Sequence, residues 1–315
     1  MNIKEVVKTK ELFTGGHRAC AGCGAAIVAR QVLMAAGPNT VVASATGCLE
    51  VVSTIFPYTA WNVPFLHSAF ENAAATVSGV EALYQSWVRQ GKYTKKVNFI
   101  AFGGDGGTYD IGLQSLSGAM ERGHNILYVC YNNEAYMNTG VQRSGATPKG
   151  ADTTTAPVGK VKKGKAQYRK DLTAIMVAHG IPYVAQAIVG NWRDLTNKVE
   201  KALSIEGPKF INVFQPCRLG WSYKPELTCE MGRLAVETCA WPLYEVTNGR
   251  YKVTKPKEKK PIAEWLKLQG RFAHLFKPEN KALLDEIQAD TDKSWEDLLK
   301  KEVALPQEGA PVKPA

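Results

Sequence analysis

Residues 97–112 read VNFIAFGGDGGTYDIG, an apolar run that leads directly into glycines around one aspartate. The apolar run predicts a strand buried on both faces inside a parallel sheet, because alternation with polar residues is absent. The glycines at 104–107 predict a tight turn at its carboxyl end, followed by a helix that begins near Tyr109 and Asp110. Ligands of open α/β sheets bind at this edge, so the stretch predicts a binding site as well as a fold.

Strands and helices alternate on both sides of this stretch. The further strands are expected at 40–45, 125–131, 183–188 and 209–215, and the helices at 24–37, 71–91, 111–123, 171–180 and 192–204. The alternation predicts an α/β fold with a doubly wound, mostly parallel sheet of the kind that binds cofactors at its edge. Residues 134–168 are expected to form one long loop, and loops of that length are usually functional or mobile.

The pattern changes near residue 220. Residues 220–260 are expected to be irregular apart from a hairpin that turns at Asn248 and Gly249, whereas 261–302 are charged and expected to be helical. The Pro- and Ala-rich end is expected to be extended or disordered. We therefore divide the chain into an α/β domain (1–225), a C-terminal extension (226–303) and a tail (304–315).

Composition excludes several classes of protein. Of the 315 residues, 45% are hydrophobic and 22% charged, which is typical of a globular protein. No apolar run reaches the roughly 18 residues of a membrane span, and the N-terminus resembles no secretory signal, so we expect a cytoplasmic protein without membrane contact. The 39 Lys and Arg exceed the 29 Asp and Glu, but no nucleic-acid-binding pattern accompanies them. The basic runs at 159–170 and 255–261 are interpreted as solvated surface.

A second polar motif, Asn132-Asn133, follows the next buried strand. Asp105 offers a hard oxygen to Mg²⁺, and the side chain of Asn133 with a nearby backbone carbonyl can complete the protein's share of the ligands. The glycines beside Asp105 let the backbone approach a diphosphate, and the positive end of the next helix can face it. A lone Gly-Asp-Gly is a weak signal, but the two motifs, separated by one complete helix and strand, are specific together.

The seven cysteines are odd in number and the chain does not look secreted, so a disulfide framework is not expected. The candidates for metal ligation are Cys20, Cys23, Cys48 and Cys217. Spacing alone leaves a [4Fe–4S] cluster, a zinc ion and no metal as open alternatives. Cys130 lies in an apolar strand and is interpreted as a small core residue, and nothing around Cys229 or Cys239 resembles a ligand turn.

Four segments together resemble one known family. They are HRACAGCGAA (17–26), ATGCLEV (45–51), FGGDGGTYDIG (102–112) and YNNEAYMNTGVQRSGATPKGA (131–151). In this order they resemble the beta subunit of pyruvate:ferredoxin oxidoreductase and of other 2-oxoacid:ferredoxin oxidoreductases, which bind thiamine diphosphate and a [4Fe–4S] cluster. The resemblance runs from about residue 14 to residue 225, and the C-terminal extension carries no matching motif.

The resemblance implies three cofactors: thiamine diphosphate, Mg²⁺ and a [4Fe–4S] cluster. It implies that the cluster ligands are Cys20, Cys23, Cys48 and Cys217, and that the Mg²⁺ ligands are Asp105, Asn133 and the carbonyl of Ala135. Asn138 would be the catalytic residue beside the reacting cofactor. The other cofactor-binding residues would be Thr46, Gly47, Cys48, Gly104, Gly106, Gly107 and Thr139.

The activity implied is decarboxylation of a small 2-oxoacid, pyruvate by default, with or without coenzyme A. Electrons would pass singly to the cluster and on to ferredoxin. Oxalate is the main alternative substrate, ahead of branched-chain 2-oxoacids and 2-oxoglutarate. Two further classes stay open on the residues alone: a non-redox thiamine diphosphate lyase, and a basic, metal-stapled module that binds nucleic acid.

Partners are also implied. Cofactor activation needs a carboxylate, and none can be nominated here, because Glu50 and Glu71 are better interpreted as surface or helix-start charges. We therefore expect an alpha-type subunit that completes the thiamine site and a gamma- or delta-type subunit with further iron–sulfur clusters. Ferredoxin would accept the electrons, and the whole would assemble as a dimer of hetero-oligomers.

Overall fold

A computed structural model describes Lys4 and residues 8–303, and the expected tail at 304–315 lies outside these described residues. Within them, eight strands form one sheet. The strands are β1 (Thr40–Ala45), β2 (Phe65–Ser68), β3 (Asn98–Gly104), β4 (Leu127–Asn132), β5 (Tyr183–Ile188), β6 (Lys209–Phe214), β7 (Leu243–Thr247) and β8 (Arg250–Thr254).

Helices connect most of these strands. The α-helices are α1 (Gly24–Ala36), α2 (Cys48–Ser53), α3 (Ala73–Arg89), α4 (Leu113–Glu121), α5 (Leu172–Ala178), α6 (Trp192–Ser204), α7 (Arg218–Trp221), α8 (Thr228–Glu237), α9 (Ile262–Leu266) and α10 (Lys281–Val303). A π-helical turn covers Gly106–Asp110, and short 3₁₀ turns cover Pro225–Leu227, Gly270–Phe276 and Pro278–Asn280. Among the described residues, no helix combines the length and the apolar character needed to cross a membrane.

The sheet has the order β2-β1-β3-β4-β6-β5-β7-β8. The first six strands pair in parallel, whereas β7 pairs antiparallel with β5 and β8 antiparallel with β7. This confirms the prediction of a doubly wound, mostly parallel sheet. The hairpin turns at Asn248 and Gly249 with φ of 48° and 78°, as its sequence predicts, and it extends the same sheet into the C-terminal extension.

Helices cover both faces of the sheet because the strands are apolar on both. On one face Ile100 of β3 packs in a core with Val28 of α1 and Val199 of α6. On the other face the next residue, Ala101, packs in a second core with Val77 of α3. The carboxyl ends of the six parallel strands stay free of these helices, and they form the edge at which the predicted site residues lie.

A third core joins the C-terminal extension to the end of β6. The ring of Phe214 lies 5.5 Å from Trp221, 5.0 Å from Trp241 and 6.0 Å from Trp265, measured between centroids. The prediction of an irregular segment at 220–260 is wrong, because α8 forms there and buries one side in this core. The extension therefore packs against the strand that leads to Cys217.

Candidate metal and cofactor site

Asp105 lies at the carboxyl end of β3 and is 1% exposed. One carboxylate oxygen accepts a hydrogen bond from the backbone N–H of Asn133 at 3.1 Å, and the other accepts one from the Ser144 hydroxyl at 2.6 Å. Burial raises the pKa of Asp105 to about 7, and the charge of Glu134 acts in the same direction. A carboxylate in this environment is stabilised in its ionised form by a bound cation.

Asn133 follows β4, the neighbour of β3, so the two motifs meet as expected. Its side-chain oxygen lies 3.0 Å from the carbonyl oxygen of Ala135 and 3.0 Å from Asp105 Oδ1. Oxygens this close repel one another unless a cation lies between them, and adjacent ligands of an octahedral Mg²⁺ at about 2.1 Å are about 3.0 Å apart. Turning the amide over would instead let its NH₂ group donate to both oxygens and its oxygen accept from Gln215 at 3.1 Å. The three oxygen atoms fit Mg²⁺ as ligands. In the turned orientation, the hydrogen bonds of the Asn133 amide are all made within the protein and no metal is required.

The backbone around Asn133 is fixed so that one carbonyl remains for a ligand. Trp221 Nε1 donates to the Asn133 carbonyl at 3.0 Å, and Thr147 Oγ1 donates to the Glu134 carbonyl at 2.5 Å. Glu134 has a φ of 64°, which is unusual for a side chain larger than glycine and turns the chain sharply there. The carbonyl of Ala135 therefore faces the side-chain oxygens of Asp105 and Asn133.

A buried ion pair holds this sharp turn. Glu134 is 0% exposed, and its carboxylate contacts Arg271 at 2.5 Å and also Arg169. The Arg271 guanidinium in turn lies 3.7 Å above the ring of Trp221. Arg271 belongs to the C-terminal extension, for which the sequence suggested no role. The extension therefore supplies a charge that fixes the loop carrying the Ala135 carbonyl.

The long loop between β4 and α5 contains no helix or strand, in agreement with the prediction, and it is packed in place. Lys165 is 2% exposed, and its ammonium group donates to three carbonyls of the loop: Ser144 at 3.2 Å, Gly145 at 3.3 Å and Thr147 at 2.5 Å. Burial lowers the pKa of Lys165 to about 8. This lysine thus braces the segment whose Ser144 hydroxyl reaches Asp105.

The glycine-rich turn differs from the expected helix start. A π-helical turn covers the residues from Gly106 to Asp110, and the regular helix α4 begins at Leu113. A Cβ atom on Gly106 would lie 2.3 Å from the ring of Tyr136, so only glycine fits there. The Tyr136 ring fills the space where a side chain at position 106 would lie. The backbone N–H of Gly106 is therefore the group of this residue that can face a ligand.

The four nominated cysteines come from three parts of the chain. Cys20 and Cys23 form one tight turn, in which the N–H of Cys23 donates to the carbonyl of Cys20 at 2.9 Å. Cys48 begins α2, and Cys217 lies just before α7 and accepts a hydrogen bond from the N–H of Gly220 at 3.5 Å. Cys20 is exposed and the other three are partly buried.

Close backbone packing brings the thiols together, although β1 and β6 are not neighbours. A Cβ atom on Gly22 would lie 2.4 Å from the carbonyl oxygen of Pro225, and one on Gly24 would lie 2.8 Å from Oε1 of Gln215. The Thr228 hydroxyl also donates to the Gly22 carbonyl at 2.7 Å. The turn that contains Cys20 and Cys23 therefore lies directly on the segment that follows β6.

Electrostatics connect the thiols with the oxygen-rich site. Burial raises the pKa of the Cys48 thiol to about 12. The groups whose charges raise it further are, in order of effect, Cys217, Cys23, Cys20 and Asp105. Among the described residues, no three His, Cys, Asp or Glu side chains are arranged to hold a single metal ion. In a four-iron cluster each thiolate binds a different iron, so its ligands need not share one coordination sphere.

Further nominated residues lie at the same edge. The Cys48 thiol lies 3.7 Å from Oδ1 of Asn138. Thr46 Oγ1 is 2.7 Å from Nε2 of His67, and that nitrogen is 3.7 Å from the carboxylate of Glu50. The Thr139 side chain does not contact the thiols among these hydrogen bonds, since its hydroxyl donates to Oε1 of Gln142 at 2.6 Å. Asn138 and Thr46 thus flank the thiol site, whereas the Thr139 side chain is engaged within its own loop.

Known proteins match the chain over most of its length. The family described as "Thiamine pyrophosphate enzyme, C-terminal TPP binding domain" matches residues 45–213. The pyruvate synthase subunit PorB of Methanocaldococcus jannaschii is 60% identical over 84% of this chain and 90% of its own length. The PorB subunit of Thermotoga maritima is 54% identical over 95% of this chain and 96% of its own.

One solved structure supports the fold. The 2-oxoglutarate:ferredoxin oxidoreductase from Magnetococcus marinus, solved with 2-oxoglutarate, coenzyme A and succinyl-CoA bound, superposes with a TM-score of 0.55 at 22% identity. The match covers 69% of this chain and 68% of the other. At this identity the likeness concerns the architecture of the sheet and its helices.

Proposed function

The chain belongs to the thiamine-diphosphate-binding PorB family of 2-oxoacid:ferredoxin oxidoreductase subunits, and from this premise we propose that it forms the cofactor-binding half of a pyruvate:ferredoxin oxidoreductase. The observation that carries the proposal is the position of Cys48. Its thiol lies 3.7 Å from Asn138 and is influenced by the charges of Asp105 and the three other nominated cysteines. An acid-and-amide site and a thiol site therefore share one edge of the sheet.

Each part of the edge has a distinct task in this proposal. Asp105, Asn133 and the Ala135 carbonyl hold Mg²⁺, and the ion ties down the diphosphate together with the N–H groups of the glycine-rich turn. Bound thiamine diphosphate supplies the carbon nucleophile and the electron sink for loss of CO₂. Asn138 lies beside Cys48 and offers an amide to orient the substrate where electrons leave for the thiol site.

The thiols of Cys20, Cys23, Cys48 and Cys217 are proposed to ligate a [4Fe–4S] cluster that accepts electrons one at a time. Placement of this cluster at the same edge keeps the transfer path short. Burial raises the pKa of the Cys48 thiol to about 12, so this thiol is uncharged in the metal-free chain and assembly of the cluster must release its proton.

Partners complete the enzyme in this proposal. An alpha-type subunit supplies the carboxylate that activates the cofactor. The carboxylate of Glu50 does not serve, since it accepts a hydrogen bond from the Thr54 hydroxyl at 2.8 Å and lies 3.7 Å from Nε2 of His67. A gamma- or delta-type subunit with further clusters carries the electrons to ferredoxin, in a dimer of hetero-oligomers. Pyruvate is preferred over oxalate because both PorB relatives are named for pyruvate.

The test is anaerobic purification of the assembled complex, followed by cofactor analysis and assays with a low-potential dye. We expect thiamine diphosphate, Mg²⁺ and acid-labile sulfide, and reduction of the dye with pyruvate in preference to oxalate, 2-oxoglutarate or branched-chain 2-oxoacids. Because the gamma- or delta-type subunit carries further clusters, a Cys48→Ser complex is analysed beside the unsubstituted one. Equal iron and sulfide in the two complexes would contradict the cluster assignment. Turnover with oxalate alone would contradict the substrate.

A further inference from the structure

Tyr131 is a buried tyrosine whose hydroxyl has no partner. It lies in β4, two residues before Asn133, and is 2% exposed. Among the buried side chains of the described residues, its hydroxyl is the one tyrosine oxygen without a hydrogen bond. Buried hydroxyls are almost always paired, so an orphan at a binding edge indicates a group that arrives with a ligand.

The surroundings of this hydroxyl show where that ligand lies. A Cβ atom on Gly47 would lie 2.9 Å from the Tyr131 hydroxyl, and one on Gly104 would lie 3.5 Å from it. The phenol hydroxyl therefore lies against the backbone of two residues that have no side chain. Gly47 directly precedes Cys48, and Gly104 directly precedes Asp105, so the hydroxyl lies between the backbone of the thiol site and that of the oxygen-rich site.

The position of the hydroxyl favours the thiol side. It lies 2.9 Å from the Cβ position of Gly47, which precedes Cys48, and 3.5 Å from that of Gly104. A phenol is a hydrogen-bond donor, and thiolates and cluster sulfides are acceptors that lack enough donors in an apolar setting. Hydrogen bonds to cluster sulfurs stabilise the reduced, more negative form.

We propose that Tyr131 is a positioning residue that sets the reduction potential of the thiol site, because its hydroxyl donates a hydrogen bond to a sulfur of the iron–sulfur group bound by Cys48. This inference rests on the proposed cluster. Tyr131 makes the reduced cluster easier to form and so favours electron transfer out of the thiamine site. The residue acts through the sulfur it contacts and takes no part in bond making or breaking.

A matched control lies on the same strand. Tyr128 is also 2% exposed, but it faces the opposite side of the sheet and its hydroxyl is 3.1 Å from that of Thr108. Tyr131→Phe and Tyr128→Phe each remove one buried hydroxyl from β4. They differ in that the Tyr131 hydroxyl lies beside Gly47, which precedes Cys48, whereas the Tyr128 hydroxyl lies beside Thr108.

The experiment is a redox titration of the assembled complex, monitored by electron paramagnetic resonance, with iron and sulfide measured on the same samples. Tyr131→Phe should keep its iron but lower the equilibrium constant for reduction of the cluster bound by Cys48 about tenfold, which is a shift of about 59 mV to more negative potential for a one-electron couple. The signal of that cluster is the one that Cys48→Ser removes. Tyr128→Phe should leave the potential unchanged. A 3-fluorotyrosine at position 131, a stronger donor of unchanged shape, should shift the potential the opposite way.

The outcomes separate this inference from the proposed function. An iron-replete Tyr131→Phe complex with the potential of the unsubstituted enzyme overturns the inference alone, as does a weaker affinity for thiamine diphosphate at constant potential. An unsubstituted complex with no more iron than the Cys48→Ser complex overturns the proposed cluster and this inference with it. If Tyr131→Phe fails to assemble, an unshifted potential in the 3-fluorotyrosine complex overturns the inference.

Discussion

The oxygen-rich site around Asp105 and the thiol site around Cys48 share one edge of the sheet but are built differently. The first is buried, and its polar groups are tied by short hydrogen bonds and by the pair of Glu134 with Arg271. The thiols come from three separate segments and one of them is exposed, and the backbone of the Cys20–Cys23 turn is held by close packing of glycines and by the Thr228 hydrogen bond. The polar groups of the oxygen-rich site are therefore fixed in place, whereas the thiols depend on the packing of distant segments.

The largest effects should come from removing the centre of each site in turn. Asp105→Asn keeps the shape of the side chain but loses its charge, and replacing a direct ligand should weaken Mg²⁺-dependent binding of thiamine diphosphate by more than about 100-fold. The iron content should not change, because Asp105 binds no iron. Calorimetric titration of the cofactor and iron analysis of the complex measure both quantities.

Cys48→Ser should have the reverse pattern, with loss of one cluster's share of the iron and retained binding of thiamine diphosphate. Cys229→Ser is the matched control, since Cys229 is partly buried like Cys48 but lies outside both sites. If either Asp105→Asn or Cys48→Ser abolished both iron and cofactor, the two sites would be one cooperative unit and the comparison would fail.

The next effect concerns stability and tests the preorganisation of the oxygen-rich site. Arg271→Gln leaves the Glu134 carboxylate buried with one cation fewer, and loss of one partner of a buried pair should lower the free energy of unfolding by about 3–5 kcal/mol. Urea unfolding of the chain in its complex, followed by tryptophan fluorescence, measures the change.

Arg233→Gln is the control for that substitution. Arg233 pairs with Glu230 at 2.8 Å, but both side chains are 52% exposed, so the loss should be below about 1 kcal/mol. Equal losses in the two variants would show that Arg271 is not a specific support of the metal-binding loop.

The smallest effect is a dependence on pH that Asp105 should give to the oxygen-rich site. Its pKa is raised from 3.8 to about 7 by burial, so without metal the folded chain favours the protonated acid. The stability that this acid contributes is full below about pH 4 and is lost as the pH rises through 7. Mg²⁺ needs the ionised form, so its affinity should rise up to pH 7 and level off above.

Titrations with Mg²⁺ on either side of pH 7, followed by fluorescence, measure how the affinity for Mg²⁺ depends on pH. Asp105→Asn should abolish this dependence. A thiol-site property such as the iron content should show no matching step near pH 7. An affinity for Mg²⁺ that stayed constant from pH 6 to about pH 8 would contradict the raised pKa.

Sequence patterns predicted the fold well where a signal is local. Strands β3 and β4 are continuous apolar runs, and the alternation of helices and strands along the chain predicts the parallel sheet. The short β2 was missed because Phe65–Ser68 offers four residues and no alternation, and it becomes a strand only by pairing with β1. Helix α8 was missed because Gly232 interrupts it, and it forms because one face is buried.

The sequence nominates the proposed ligands, but it does not reveal the residues that support them. Asp105 and Asn133 stand at strand ends, where the sequence itself marks a site. Glu134 and Arg271 are 137 positions apart, and nothing near either residue indicates the other. Ser144 lies in a loop without a regular sequence pattern. Its hydroxyl donates to Asp105, and its backbone carbonyl accepts a hydrogen bond from the buried ammonium group of Lys165. Supports of this kind depend on tertiary packing, which a single sequence does not encode locally.

The pair of Glu134 and Arg271 also fixes an order of events during synthesis. A growing chain contains all the proposed magnesium ligands and all four nominated cysteines by residue 217, yet Arg271, which pairs with Glu134, follows 54 positions later. Until then the turn before Ala135 lacks one of its two countercharges. The proposed metal-binding turn therefore reaches its final charge balance only after the C-terminal extension has been made and has packed against it.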